Sequence, residues 1–356
     1  MKRIPIIRPL FPSITKLQPD IDEILASGQV SNGIYVQRLE SAIAEYLGVK
    51  YFIAFCNGEA ALIAMIAALR LSGEVIVPAY TFVGTPHAVV WNGLTPVFVD
   101  AHPKTWTINP SEIEAKITLR TSAILAVPIF GNPVCNDVLA NIAEQHNLML
   151  LYDSAQGFGS KYNGKRLGGF GCAESFSFHA TKIFSTMEGG GVATNDSELY
   201  ERLVAIRNFG KIGNDCKMLG FNGKMTEVCA LVGLKNLEVL DAHITHRQNL
   251  VARYREQLAD ISEITFQSPS LGGNVAPSLC QILVEAKRDD VLAALIHHDI
   301  EARNFMSPPI HLMSKYACKD RYPVAEHIAA MSVALPLHSN LQFEEVDRVC
   351  SIIKDV

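Results

Sequence analysis

Between about residue 38 and residue 200, short apolar runs alternate with stretches whose apolar positions recur at helical spacing. Seven runs read as strands: 51–55, 74–78, 96–100, 123–130, 148–152, 175–178 and 191–194. Helical patterns lie at 60–71, 85–91, 111–117 and 136–146. Strands alternating with helices predict βαβ units and a large, mostly parallel sheet covered on both faces. In such sheets ligands bind beyond the carboxyl ends of the strands, so the chemistry belongs in the turns that follow them. After Asp241 the pattern changes. A long helix at about 242–258, a strand at 279–285, a helix at 288–298 and a last helix from about Phe343 predict a second, smaller α/β domain. The expected division is 14–241 for the large domain and 242–356 for the small one, with segment 1–13 packing on the latter. No internal repeat or low-complexity linker separates them, so the two parts are expected to pack together.

Composition narrows the class. A length of 356 residues suits about two domains, and 49% hydrophobic with 19% charged residues supplies a core without a disorder signature. The net charge of −5 carries no basic footprint for nucleic acid. The longest apolar stretch, residues 60–69, is too short to span a bilayer. Three prolines interrupt the opening MKRIPIIRPLFPSI before a signal-peptide core forms, so a cytoplasmic protein with no membrane partner is expected. The eight cysteines show no C-x-x-C pair and no zinc spacing, which predicts free thiols and no metal.

Three places carry candidate chemistry. In FCNGEAAL at 55–62 a strand runs into Asn57-Gly58 and a helix begins at once. Backbone N–H groups at such a helix start can hold an anion, although a plain structural turn reads the same way. In LLYDSAQGFGS at 150–160, Asp153 ends an apolar strand. It is either a helix cap or a buried carboxylate awaiting a positive partner. In FSFHATKIFSTMEGG at 176–190, Lys182 follows an alternating strand. A solvated surface lysine and a desolvated, nucleophilic amine are both open readings. In combination, a phosphate-ready helix start, a buried aspartate and a lysine after a later strand are the parts that pyridoxal 5′-phosphate (PLP) requires.

The motifs extend this reading. SGQVSNG at 27–33, CNGEAAL at 56–62, VPAYTFVGTPHAV at 77–89, PVFVD at 96–100 and YDSAQGFGSKYNGK at 152–165 come first. SFSFHATKIFSTMEGGGVATND at 175–196, GFNGKMTEVCALVGL at 220–234 and LPLH at 335–338 follow. With these eight in register, the chain resembles the DegT/DnrJ/EryC1/StrS family of sugar-nucleotide aminotransferases over nearly its whole length. The resemblance implies an α/β, fold type I PLP-dependent transferase with a seven-stranded large domain. It implies that Lys182 holds the cofactor and moves a proton between substrate carbon and cofactor. It places Asp153 at the pyridinium nitrogen, Gln156 near the ring hydroxyl and Phe82 on one ring face. Ser177 and the amides of Gly58 and Glu59 would bind the phosphate. Asn222 would reach the phosphate of a neighbouring subunit, which implies a homodimer with shared active sites. His311, in SPPIH at 307–311, would contact the sugar nucleotide.

Two departures stand out. Glu59 occupies a position where the family usually has a hydroxyl, and a carboxylate repels a phosphate unless only its N–H is used. Gly223-Lys224 replaces an aromatic and an arginine. His179, Trp91 and Trp106 read as packing or surface residues, and Lys165-Arg166 either meets a diphosphate or forms a hairpin tip. The resemblance implies transfer of the amino group of L-glutamate to a nucleotide-linked keto-sugar. The favoured acceptor is dTDP-4-keto-6-deoxy-D-glucose, giving a 4-amino-4,6-dideoxy sugar for surface polysaccharide such as O-antigen. A 3-keto sugar and a UDP or GDP carrier stay open. A sugar dehydratase on the same scaffold would lack Lys182, and a binding or regulatory protein would have lost Lys182 or Asp153. A nicotinamide enzyme would need a G-x-G-x-x-G after its first strand, which is absent.

Overall fold

The computed structural model describes residues 3–356, so the first two positions of segment 1–13 lie outside the described residues. Its centre is a seven-stranded sheet. The strand order is Tyr51–Phe55, Gly190–Thr194, Ala173–Ser177, Met149–Asp153, Thr121–Ala126, Glu74–Pro78 and Thr95–Val99. Gly190–Thr194 runs antiparallel to both of its neighbours and every other pairing between Ala173–Ser177 and Thr95–Val99 is parallel. The sheet is therefore mostly parallel, as the alternating pattern requires. Glu74–Pro78 and Gly190–Thr194 are buried at every position, which explains why they read as continuous runs of apolar or small residues.

Helix Gly58–Leu69 packs across one face of the sheet, against the Ala173–Ser177 and Gly190–Thr194 strands. Its long apolar core, including Met65 and Ile66, suits a helix covered by sheet on one side and helix on the other. Asn57 caps it, its side chain accepting from the Ala60 N–H at 2.8 Å. The C-terminal part holds a three-stranded antiparallel sheet, ordered Ile264–Phe266, Cys280–Val284 and Ser332–Leu335. Helices Leu240–Gln257, Arg288–His297 and Phe343–Lys354 enclose a separate core with it, built on residues such as Leu250, Ile282, Leu295 and Val349. Ile4 joins this core and bridges to Ile300.

Some expectations need correction. The run 123–130 is strand only through Ala126; Pro128 has no N–H for the ladder, and a 3-10 turn, Ile129–Gly131, follows with Phe130 at φ 57°. Residues 111–117 form two 3-10 turns rather than an α-helix, because Ile113 alone is fully buried there and no apolar stripe exists to hold one. Helices Ile14–Ser27, Ile34–Leu47, Ser197–Arg207, Glu227–Leu237 and Pro323–Met331 add to those expected. Among the described residues no helix is long and apolar enough to cross a membrane, and no His, Cys, Asp and Glu group is placed to hold a metal.

Candidate active site

The sheet delivers its polar residues to one end. Asp153 and Ser177 are the last residues of their strands, Asn57 and Gly58 follow the Tyr51–Phe55 strand, and Thr81 and Phe82 follow Glu74–Pro78. All of them line one cavity of about 500 Å³, with Glu59, Gln156, His179, Lys182 and Glu188. Seven of the nine sequence candidates (Gly58, Glu59, Phe82, Asp153, Gln156, Ser177 and Lys182) thus share one wall-to-wall space.

Asp153 is the most buried charge of the site, 7% exposed. Burial raises its pKa, and the Thr85 hydroxyl, the Ala155 N–H and the Lys182 ammonium oppose that rise. Thr85 Oγ1 donates to Asp153 Oδ2 at 2.7 Å, and Thr81 Oγ1 lies 2.9 Å from Thr85 Oγ1. The carboxylate is thus held from one side, leaving it poised for a cationic partner in the cavity. Lys182 sits in the turn after the Ala173–Ser177 strand, its N–H donating to His179 O at 2.9 Å. Burial lowers its pKa while Asp153 resists, so a larger share of the amine is neutral and nucleophilic than for a solvated lysine.

The helix start forms a cradle only glycine permits. A Cβ on Gly58 would lie 2.6 Å from Ser177 Cβ, and one on Gly190 would lie 2.6 Å from Gly58 Cα. This close approach accounts for the glycines that follow Glu188: the returning strand has to pass against the helix start. Gln156 turns Oε1 to the Phe130 N–H at 2.6 Å, which leaves its NH₂ as the donor available to the cavity. Phe82 keeps 62% of its surface exposed at the cavity wall, as a ring awaiting a flat partner would. Glu59 is exposed and forms no ion pair among the described residues.

Two candidates lie elsewhere. His311 is a correction: it is fully buried outside the cavity, its Nε2 3.0 Å from Glu326 Oε1 and its ring edge-on to Tyr322. That is a core histidine, with no surface left for a sugar nucleotide. Asn222 is exposed, bridged to Asn208 and apart from this cavity. Arg166 is also committed, 2.9 Å from Asp241 Oδ2 and stacked over Tyr46.

The structure adds residues that the sequence reading passed over. Thr85 lies inside the quoted VGTPH stretch, but its link to Asp153 spans 68 positions and shows only in three dimensions. His179 lines the cavity with Nε2 3.3 Å from Glu188 Oε1 and Nδ1 2.8 Å from Thr181 Oγ1. The sequence leaves His179 to packing or surface, and its pairing with Glu188 at the cavity shows only in three dimensions. Phe305 and Met306 close the cavity from the C-terminal part.

An amine with lowered proton affinity, a buried carboxylate and a helix start pressed against a serine fit PLP, which needs an amine, a ring-nitrogen partner and a phosphate cradle. Comparison with known proteins agrees. The DegT/DnrJ/EryC1/StrS aminotransferase family model matches residues 14–354. The dTDP-4-amino-4,6-dideoxy-D-glucose transaminase of Shigella dysenteriae is 37% identical over 367 residues, covering 100% of this chain and 99% of the relative. GDP-perosamine synthase of Escherichia coli O157:H7 is 33% identical, with coverage of 100% and 99%. Among solved structures, DesI in the presence of its TDP-sugar product superposes with a TM-score of 0.94 at 33% identity, covering 99% of this chain and 93% of that one. The chain belongs to the DegT/DnrJ/EryC1/StrS aminotransferase family and is a PLP-dependent sugar-nucleotide aminotransferase.

Proposed function

We propose that the protein transfers the amino group of L-glutamate to dTDP-4-keto-6-deoxy-D-glucose, forming dTDP-4-amino-4,6-dideoxy-D-glucose for a surface polysaccharide such as O-antigen. The observation that carries this choice is the end-to-end 37% identity to the Shigella transaminase of that name. A GDP-linked acceptor is the second reading, favoured by the 33% identity to GDP-perosamine synthase over the same length.

The residues divide the labour. PLP, when bound, supplies an electron sink that stabilises negative charge on the substrate carbon. Lys182 Nζ anchors the cofactor and moves a proton to and from that carbon, the task its lowered proton affinity suits. Asp153, held by Thr85, keeps the ring nitrogen protonated. Phe82 would cover one ring face, and the NH₂ of Gln156 would be the donor for the ring hydroxyl. Ser177 and the amides of Gly58 and Glu59 would take the phosphate at the positive end of helix Gly58–Leu69. Asn222, exposed and away from its own cavity, completes the site of a second subunit in a homodimer.

The test is a comparison of kcat/KM for dTDP-4-keto-6-deoxy-D-glucose and a GDP-linked keto-deoxysugar with L-glutamate as donor, the products identified by mass. Preference for the dTDP sugar by tenfold or more supports the reading; preference for the GDP sugar replaces it with the second.

A further inference from the structure

Two buried side chains outside the cavity lack the partners that their chemistry demands. Arg247, on helix Leu240–Gln257, is 4% exposed, and His338, just beyond the Ser332–Leu335 strand, is 2% exposed. Arg247 Nε donates to the hydroxyl of Ser339, the next residue after His338, at 3.2 Å. Arg247 Nη1 and both ring nitrogens of His338 have no hydrogen-bond partner within the described residues. Buried polar atoms are rarely left this way, and three at one place call for a common explanation.

The surroundings are cationic. Burial pushes the Arg247 guanidinium down to about 10, with no carboxylate acting against it. His338 is held down to about 4 by burial first, then by Arg247, with Arg8 and His246 acting in the same direction. His243 is lowered by burial and then by the same Arg247 and His246. Glu345 alone opposes at His338, and its Oε2 already accepts from the Gln342 N–H at 2.9 Å. His246 is occupied as well, its Nε2 2.9 Å from Leu341 O.

A water could satisfy one of the free nitrogens but would leave the guanidinium charge uncompensated. An oxyanion does both: it accepts from Nη1–H and from the imidazole N–H, and it neutralises the charge. Beside that anion the imidazole holds its second proton more readily, so both ring nitrogens become donors. We propose that Arg247 and His338 form a binding site for a phosphate-type oxyanion, approached past the exposed Arg8. The segment bearing Arg8 joins this place to the catalytic one. Leu337 N–H donates to Ile6 O at 3.0 Å, and Leu10 O accepts from Asn236 Nδ2, which also donates to Ser185 O in the loop after Lys182. The phosphoryl group therefore comes either from free inorganic phosphate or from the diphosphate of a nucleotide sugar. The proposal is independent of which sugar is aminated.

The test uses holoenzyme, whose cofactor already fills the other phosphate site, with isotope-labelled histidine. The His338 ring resonances are followed against pH in chloride, in inorganic phosphate and in dTDP, all at equal ionic strength. The site predicts an upward move of the His338 midpoint by at least about one pH unit in one of the two phosphoryl ligands, a tenfold change in proton affinity. A response to inorganic phosphate names the free anion as occupant; a response to dTDP alone names the nucleotide diphosphate. The move should vanish in Arg247→Met. Should that variant fail to fold, His338→Gln stands in for it: the effective ligand should raise the thermal midpoint of the wild-type protein by more than that of the variant. A His338 midpoint unmoved by either ligand would overturn the proposal, whatever dTDP does at the catalytic cavity.

Discussion

Glu174 offers the sharpest quantitative test of the electrostatics beneath the site. It is fully buried on the strand beside Asp153, where it accepts from Gly168 N–H at 2.6 Å, Phe170 N–H at 2.9 Å and Ser154 Oγ at 2.8 Å. Burial outweighs these three donors and lifts its pKa from the ordinary 4.5 to about 7. A carboxyl whose folded pKa is raised contributes stability that is fully present below its unfolded value and is lost as pH rises through the folded one. The gap between those two values is worth about 3 kcal/mol. Glu174→Gln keeps the shape: the amide oxygen can accept both N–H groups and the NH₂ can donate to Ser154. Denaturant unfolding of the apoprotein should therefore give equal stability for the two proteins at about pH 3, below the unfolded carboxyl value. Near pH 8 the variant should be the more stable by about 3 kcal/mol. A difference that does not change with pH, or a wild-type protein that is the more stable at pH 8, would show that the three donors and not burial govern this carboxylate.

Three further outcomes test particular contacts. Thr85→Val removes a hydrogen bond to a buried charge, a loss of about 1.5–3 kcal/mol that should lower kcat/KM by roughly ten- to a hundredfold, with Thr85→Ser restoring it; equal activity in both variants would end its role in holding Asp153. Gly58→Ala drives a methyl to 2.6 Å from Ser177 Cβ, so PLP titration should show weakened binding and unfolding a loss of about 1–3 kcal/mol; unchanged cofactor affinity would contradict the cradle. His311→Asn should lower the thermal midpoint by loosening Glu326 while leaving KM for the nucleotide sugar within about twofold, whereas a large rise in KM would return His311 to the substrate.

The strands were legible because burial on both faces leaves nearly continuous apolar runs, and six of the seven fall within two residues of their expected ends. The seventh, at 123–130, ran past its true end because Pro128 was read as part of an apolar stretch rather than as a missing donor. Helix Ile34–Leu47 carries a helical stripe, with Tyr35, Val36, Leu39, Ile43 and Leu47 buried, yet no expected element covers it, because the alternation of strands and helices begins only at Tyr51. Helix Ile14–Ser27 hides its period behind an internal Pro19 and a Ser13 that makes no side-chain cap. The candidate site was legible because the motifs around Gly58, Phe82, Asp153 and Ser177 each end a strand at the same end of one sheet, which brings distant turns together without knowledge of any contact. Thr85 and the His179–Glu188 pair were not, since their roles lie in side chains that meet only after folding. His311 failed for the opposite reason: motif position suggested a ligand, while its burial and the Glu326 bond were invisible to sequence.

The central claim is that the Lys182 amine carries PLP and turns over both an amino donor and a keto-sugar. It is tested most directly by the visible absorption of the holoenzyme as L-glutamate and then dTDP-4-keto-6-deoxy-D-glucose are added, beside Lys182→Ala. The account predicts that the lysine-bound cofactor band disappears with glutamate and returns with the sugar, and that the variant, folded and supplied with PLP, never shows that band. A variant that displays the band and turns over at near wild-type rate would contradict it.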